Sequence, residues 1–141
     1  MADGTSDFAR SMSIATSGLR AQAGRMRVIS ENIANADSTA PTAGGDPYRR
    51  KVPTFSSALD RSIDAHVVAL GPVVTDNSPF RIKYDPNNPA ADAAGDVKYP
   101  NVNPLVEMTD MREAQRSYEA NLNIITATRQ MIQRTLDILK G

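Results

Sequence analysis

The sequence predicts a mainly α protein whose long N- and C-terminal helices form a coiled-coil bundle and carry a small middle region containing a β-hairpin. Three observations predict it. All nine prolines of the 141-residue chain fall between Pro41 and Pro104, so nearly forty residues at each end contain none. Both ends repeat their apolar residues every seven, the period of packed helices. The middle alternates turn formers with the period-two pattern of half-buried strands. The expected organisation is a helix over 1–37, a loop and small β-rich insert over 38–104, and a helix over 105–141, with the two termini forming one helical domain.

In the first segment Phe8, Met12, Ala15, Leu19, Gln22, Met26, Ile29, Ile33 and Ala36 follow one another at spacings of four and three. Ile14, Ala21 and Val28 form a second stripe, also seven apart. A two-helix coil does not need that stripe, so it points to more than one neighbour. Thr5, Ser6 and Asp7 offer capping oxygens for the start of the helix, and the turn formers Asn35 to Ser38 end it. The seam is weak. Gln22 is polar, the alanines fill little volume, and Gly18 and Gly24 each cost about 1 kcal/mol against alanine in a helix interior. Such helices are expected to be marginal alone and to be ordered by partners.

The middle opens with a loop through Pro41, Gly44, Gly45 and Pro47. The triplet Arg49-Arg50-Lys51 follows Tyr48. Three bases suit a phosphate or an acidic partner, but more often form ion pairs or begin a solvated strand. Val67 to Leu70 reads as a strand with His66 at its start, and Phe80, Ile82 and Tyr84 alternate with Arg81 and Lys83. The quartet Asp76 to Pro79 between them predicts a hairpin spanning 66–84, and Val97 to Tyr99 a short third strand. Five of the seven aromatics lie between Tyr48 and Tyr99, so the small compact core is expected here.

Asn103-Pro104 reads as the N-cap and first position of the last helix. Met111, Gln115, Tyr118, Leu122, Ile125, Arg129, Ile132, Leu136 and Leu139 repeat the four-three spacing. Ile124, Met131 and Ile138 form the second stripe. The other side is polar, with Arg116, Asn123, Gln130 and Asp137 in one line and Glu119, Thr126, Gln133 and Lys140 in another. Each helix would reach roughly 40 to 50 Å. A helical hairpin closing on itself fits the pattern; heptads with a second stripe on both helices favour contact with other subunits.

The composition excludes much. Without cysteine there is no disulfide and no thiolate metal site. The longest apolar run is Val67 to Leu70, far short of the ~20 residues of a membrane span or the ~7 to 15 of a signal-peptide core. Sixteen acids balance sixteen bases, which argues against a nucleic-acid partner. Glu107, Asp110 and Glu113 suggest acid–base chemistry or a metal, but acids at a helix start are far commoner. The single histidine, His66, has no nucleophile elbow to serve, and no P-loop or dinucleotide fingerprint occurs. The expectation is a protein that is not an enzyme, with no catalytic residues, cofactor, metal or small-molecule substrate.

Ser17-Gly18-Leu19-Arg20-Ala21-Gln22 and Ser30-Glu31-Asn32-Ile33-Ala34-Asn35-Ala36-Asp37-Ser38 resemble the amino-terminal signature of the bacterial flagellar rod and hook proteins. The longer loop before Pro47-Tyr48-Arg49-Arg50-Lys51, the stretch from Ser78 to Pro86, and Tyr99-Pro100-Asn101-Val102-Asn103 are similar to the proximal-rod branch of that family. Asp110-Met111, Ala114, Tyr118-Glu119-Ala120-Asn121 and Met131 extend the resemblance over essentially the whole chain. It implies a structural subunit of the periplasmic rod of the basal body, with terminal helices in an axial, D0-like bundle that builds a torque-transmitting helical tube around the export channel. It also implies export without a Sec signal. Implied partners are copies of itself, other rod proteins, ring or adaptor proteins at the rod base, and the flagellar export apparatus. Leu19, Met26, Ile29 and Ile33 are then expected to meet Leu122, Ile125, Ile132 and Leu136 in a seam within the subunit. Ile14, Val28, Ile124, Met131 and Ile138 are expected to contact adjacent subunits. The alternative is a cytoplasmic coiled-coil adaptor.

Overall fold

A computed structural model describes residues 2–141, with side chains described from Asp7 onward. Helix α1 runs over Ala2–Ala34 and helix α2 over Pro104–Lys140, with six short strands between them. The mainly α class and the two long terminal helices are as expected. The start of α1 is not. It begins at Ala2, so Thr5, Ser6 and Asp7 lie inside the helix and do not cap it. Asp7 instead pairs with Arg10 at 3.7 Å. The side chains of Thr5 and Ser6 lie outside the described residues. The other boundaries follow their local chemistry. Ser38 N–H and Oγ both donate to Asn35 O as α1 turns away. Asn103 caps α2, its Oδ1 accepting from Leu105 N at 3.1 Å and its carbonyl from Glu107 N.

The strands form three separate antiparallel pairs. β1 (Lys51–Val52) pairs with β4 (Val74–Thr75), β2 (Phe55–Asp60) with β3 (Ala65–Leu70), and β5 (Arg81–Tyr84) with β6 (Asp96–Tyr99). The strands expected at 67–70, 80–84 and 97–99 therefore exist, but the hairpin expected over 66–84 does not. The Asp76–Pro79 turn forms, with Ser78 N donating to Asp76 Oδ1 at 2.9 Å. It is held from outside, because Asn101 Nδ2 donates to the carbonyls of Asp76 and Ser78. It therefore passes the chain from β4 to β5, each paired elsewhere. The actual hairpin is β2–β3. Its turn is an Asx turn in which Asp60 Oδ1 accepts from both Ser62 N and Ser62 Oγ. Asp64 there takes a left-handed φ of 47°, which Asp tolerates.

The chain divides into two compact units, each taking a stretch of both helices. Unit 1 comprises Met1–Met26, Thr54–Pro72 and Glu113–Gly141. Here the β2–β3 hairpin lies on α1: Arg10 Nε donates to Ile63 O at 2.9 Å, and Val68 N to Ser17 Oγ at 3.2 Å. The helices run antiparallel, with Gly18 against Asn121 and Arg25 3.6 Å from Glu113. Unit 2 comprises Arg27–Pro53 and Val73–Arg112. Its small core joins Ala40, Ala90 and Val97, flanked by Ala91 and Tyr99. Arg81 closes the end of α1 there, donating to Ala36 O at 2.7 Å and Pro100 O at 3.0 Å. A cation at that position satisfies an orphan carbonyl and opposes the negative end of the helix dipole.

Candidate functional site

The densest polar chemistry of unit 2 gathers on Asn32, in the last turns of α1. Its amide is fully used. Nδ2 donates to Lys51 O at 2.8 Å and to Glu107 Oε2 at 3.0 Å. Oδ1 accepts from Lys51 N at 2.9 Å and from Tyr48 Oη at 2.8 Å. The side-chain amide thus pairs with the Lys51 peptide as another backbone would. Glu107 completes the cluster by accepting from Arg50 Nε at 2.6 Å. Arg50 also lies 3.7 Å from Asp76 and 3.8 Å from Asp110. Asn32 and Glu107 are each 1% exposed, so water does not substitute for the partners of these two side chains.

Electrostatics follow the packing. Burial weakens the charged form of Arg50, but the Glu107 hydrogen bond and three carboxylates outweigh it and raise its pKa. Burial, helped by the charges of Glu31 and Glu107, pushes the Tyr48 phenol up to about 12. Asp76 is held below its usual range by the Ser78 backbone and hydroxyl hydrogen bonds, with Arg50 nearby. The basic triplet is consumed within unit 2: Arg49 lies 4.1 Å over the Phe80 ring, Arg50 serves Glu107, and Lys51 pairs with Glu31.

This cluster ties the last turns of α1 to the Tyr48–Lys51 segment and to the first turn of α2. Among the described residues no group of three or more His, Cys, Asp or Glu is placed to hold a metal ion. His66 Nδ1 lies 3.1 Å from Ser57 Oγ on the exposed hairpin. No described helix is long and apolar enough to cross a membrane.

The residues expected in the seam differ in burial. On α1, Ile29 is buried and Leu19, Met26 and Ile33 are half-buried. On α2, Ile125 is buried and Ile132 half-buried, but Leu122 and Leu136 stand 46% and 45% exposed. The covered line of α2 runs instead through Glu107, Ala114, Asn121, Ile125 and Thr128. It keeps the heptad, but on either side of Ile125 it passes through Asn121 and Thr128 where the apolar pattern has Leu122 and Arg129. At Asn121 α1 approaches closely through Gly18. A Cβ on Gly18 would stand 2.8 Å from the Asn121 amide nitrogen and 3.0 Å from its carbon. A Cβ on Gly24 would stand 2.6 Å from a Leu70 methyl. Both glycines look like helix defects in sequence and are points of close approach in the fold. Gln22, expected to weaken the core, leaves its Oε1 buried with no partner among the described residues.

The outward stripes also divide. Ile14, Ile124, Met131 and Ile138 are 38%, 48%, 54% and 80% exposed. Val28 is 3% exposed, a correction to its expected outward role. It lines a cleft with Lys51, Val73 and Thr75, so the second stripe of α1 is here covered by the chain's own strands. Sequence reasoning missed Asn32, Glu107 and the two glycines as structural positions. The available signal was an Asn inside a helix, a residue that prefers caps and turns unless its side chain is engaged.

Paired terminal helices, an apolar flank left open on α2, and a polar network that braces the fold define a subunit built for assembly. Residues 12–40 match the family model described as flagella basal body rod protein, and residues 93–138 the one described as flagellar basal body rod FlgEFG protein C-terminal. The chain is 54% identical to the flagellar basal-body rod protein FlgC of Agrobacterium fabrum, over 91% of this chain and 92% of that one. It is 39% identical to FlgC of Bacillus subtilis, over 92% and 97%, and 36% identical to FlgC of Aquifex aeolicus, over 95% and 98%. The chain belongs to the FlgC family of flagellar basal-body rod proteins.

Proposed function

We propose that this protein is a structural, non-enzymatic subunit of the proximal rod, placed in the periplasmic part of the flagellar basal body. The observation that carries the reading is the likeness to FlgC proteins over nine-tenths of the chain, at up to 54% identity. It gives no support to a cytoplasmic adaptor. The terminal helices form a D0-like coiled-coil bundle with those of neighbouring copies and other rod proteins, building a helical tube. The exposed flank of Ile124, Met131 and Ile138 on α2, with Ile14 on α1, supports this because the described residues of the single chain leave such a stripe largely open. In a tube each contact is heterologous, so one patch meets a different patch on the next copy. Torque then passes through many repeated contacts.

The polar side of α2, from Arg116 and Glu119 to Asp137 and Lys140, is exposed along its length. It faces the export channel, where mixed charge and hydrated groups do not hold a passing chain. The subunit reaches its place through the flagellar export apparatus without a Sec signal and meets ring or adaptor proteins at the rod base.

The double variant Ile124→Asp/Ile138→Asp tests the assembly flank. It is expected to be exported and to fold, since both side chains are already in water, yet to be absent from purified basal bodies and to leave cells non-motile. Wild-type motility would show that this flank is not an interface.

A further inference from the structure

We propose that the Asn32–Glu107–Arg50 cluster is a register lock: within unit 2 it admits one axial alignment of α1 on α2 and rejects those displaced by a heptad.

The problem it solves is visible in the sequence. Ala15, Gln22, Ile29 and Ala36 recur every seven residues on α1, and Met111, Tyr118, Ile125 and Ile132 on α2. Sliding one helix by seven residues, about 10 Å along its axis, sets mostly apolar positions against apolar positions again. Apolar contact is non-directional and discriminates weakly between such alignments. Several of the covered residues are alanines, which add little further distinction.

The polar cluster does not repeat. One heptad beyond Glu107 on α2 stands Ala114, and one heptad before Asn32 on α1 stands Arg25. A displaced alignment that put Ala114 opposite Asn32 would take away the Glu107 acceptor. It would also move Glu107, 1% exposed here, away from Arg50 and Asn32 together. Hydrogen bonds are short-ranged and directional, and a buried carboxylate without donors is strongly penalised. Asn32 is tied in addition to both the N–H and the C=O of Lys51. A slipped α1 would therefore lose the β1 segment as well. A single polar position that specifies alignment, at some cost in stability, is the best-attested use of buried polar groups between helices. The inference concerns one chain alone, so its failure would leave the rod reading untouched.

The cysteine-free chain allows spin labels at chosen sites. Ser30 on α1 and Thr109 on α2 are both exposed and both in unit 2. In the full-length Ser30→Cys/Thr109→Cys protein carrying nitroxides, pulsed electron paramagnetic resonance is expected to give one narrow distance population. Adding Asn32→Leu, Arg50→Met and Glu107→Leu is expected to preserve helicity by circular dichroism and to add a second, heptad-shifted population. Adding Glu107→Gln alone, which keeps an acceptor for Asn32, is expected to leave one population. A single unchanged population in the helical triple variant overturns the proposal, as does a multiple distribution in the labelled parent. Should the triple variant lose helicity, Asn32→Ala decides the matter, since it leaves Arg50 and Glu107 in place. A second population there supports the lock, and an unchanged one overturns it.

Discussion

Asn32 and Glu107 lie seventy-five residues apart and meet through a 3.0 Å hydrogen bond in which each residue is 1% exposed. The bond joins the last turns of α1 to the first turn of α2, and both partners are further committed to the Tyr48–Lys51 segment. Its loss is expected to be felt in unit 2 as a whole. Asn32→Ala leaves the Lys51 peptide and one Glu107 oxygen short of partners and is expected to cost about 1–3 kcal/mol. Asn32→Asp is expected to cost more, because a carboxylate cannot donate and faces both Lys51 O and Glu107. Urea titration of the full chain measures both; equal stability of the two variants would contradict the geometry.

Tyr48 makes an alkaline prediction. Its folded-state pKa is raised from 10.0 to about 12 by burial, then by Glu31 and Glu107. A group raised in this way contributes stability fully below its unfolded value, and the contribution is lost as pH rises from about 10 to about 12. Tyr48→Phe is expected to lower stability at neutral pH and to flatten the fall across that window. The test is the difference between wild type and variant at each pH, which isolates the contribution of Tyr48.

At the acid end Asp76 has the opposite sign. Its pKa is depressed by the Ser78 hydrogen bonds, with a smaller contribution from Arg50. Its stabilisation is present above the unfolded carboxylate value of about 3.9 and lost as pH falls through the lower folded value. Asp76→Asn is expected to remove that part of the acid dependence, seen as a shallower loss of stability below about pH 4.

Gly18→Ala reverses a rule of thumb. Helix propensity alone favours alanine by about 1 kcal/mol. The new Cβ would stand 2.8–3.0 Å from three atoms of the Asn121 amide, and overpacking of this kind typically costs about 1–3 kcal/mol. The net effect is expected to be a loss, and Gly18→Ala/Asn121→Ala is expected to recover it. At Gly24 only one terminal methyl of Leu70 is in the way, so Gly24→Ala is expected to be close to neutral. Thermal melts of the three variants separate close approach from propensity.

Burial separates stability from assembly on the helices. Ile29→Ala, at a site 2% exposed, is expected to cost about 2–5 kcal/mol. Ile138→Ala, at a site 80% exposed, is expected to stay within about 0.5 kcal/mol of wild type. Denaturation of the two proteins side by side checks the contrast; a large loss for Ile138→Ala would mean that the flank is already covered within the chain.

Much of the fold could be read directly. Proline placement and the seven-residue repeat located both helices, because each property acts within a few turns of one chain segment. Asn103 and Pro104 marked the start of α2 for the same reason. The strands at β3, β5 and β6 were legible from alternation, but their partners were not. Phe55–Asp60 carries Ser56 and Ser57 among its apolar residues and gave no strand signal. It nevertheless pairs with β3 over six residues.

By itself the sequence determined the two long helices, three of the six strands, the heptad phase of α1, the family and the absence of cysteine chemistry. These rest on local periodicity and on motifs. Only the tertiary structure decided which stripe is covered. Val28 is buried by β-structure brought from more than twenty residues away, and Ala114, Asn121 and Thr128 displace Leu122 and Leu136 from the covered line, where Gly18 lets α1 close on Asn121. Periodicity marks apolar faces but not which neighbour covers each one, and the amide of Asn32 found its four partners only when three distant segments met.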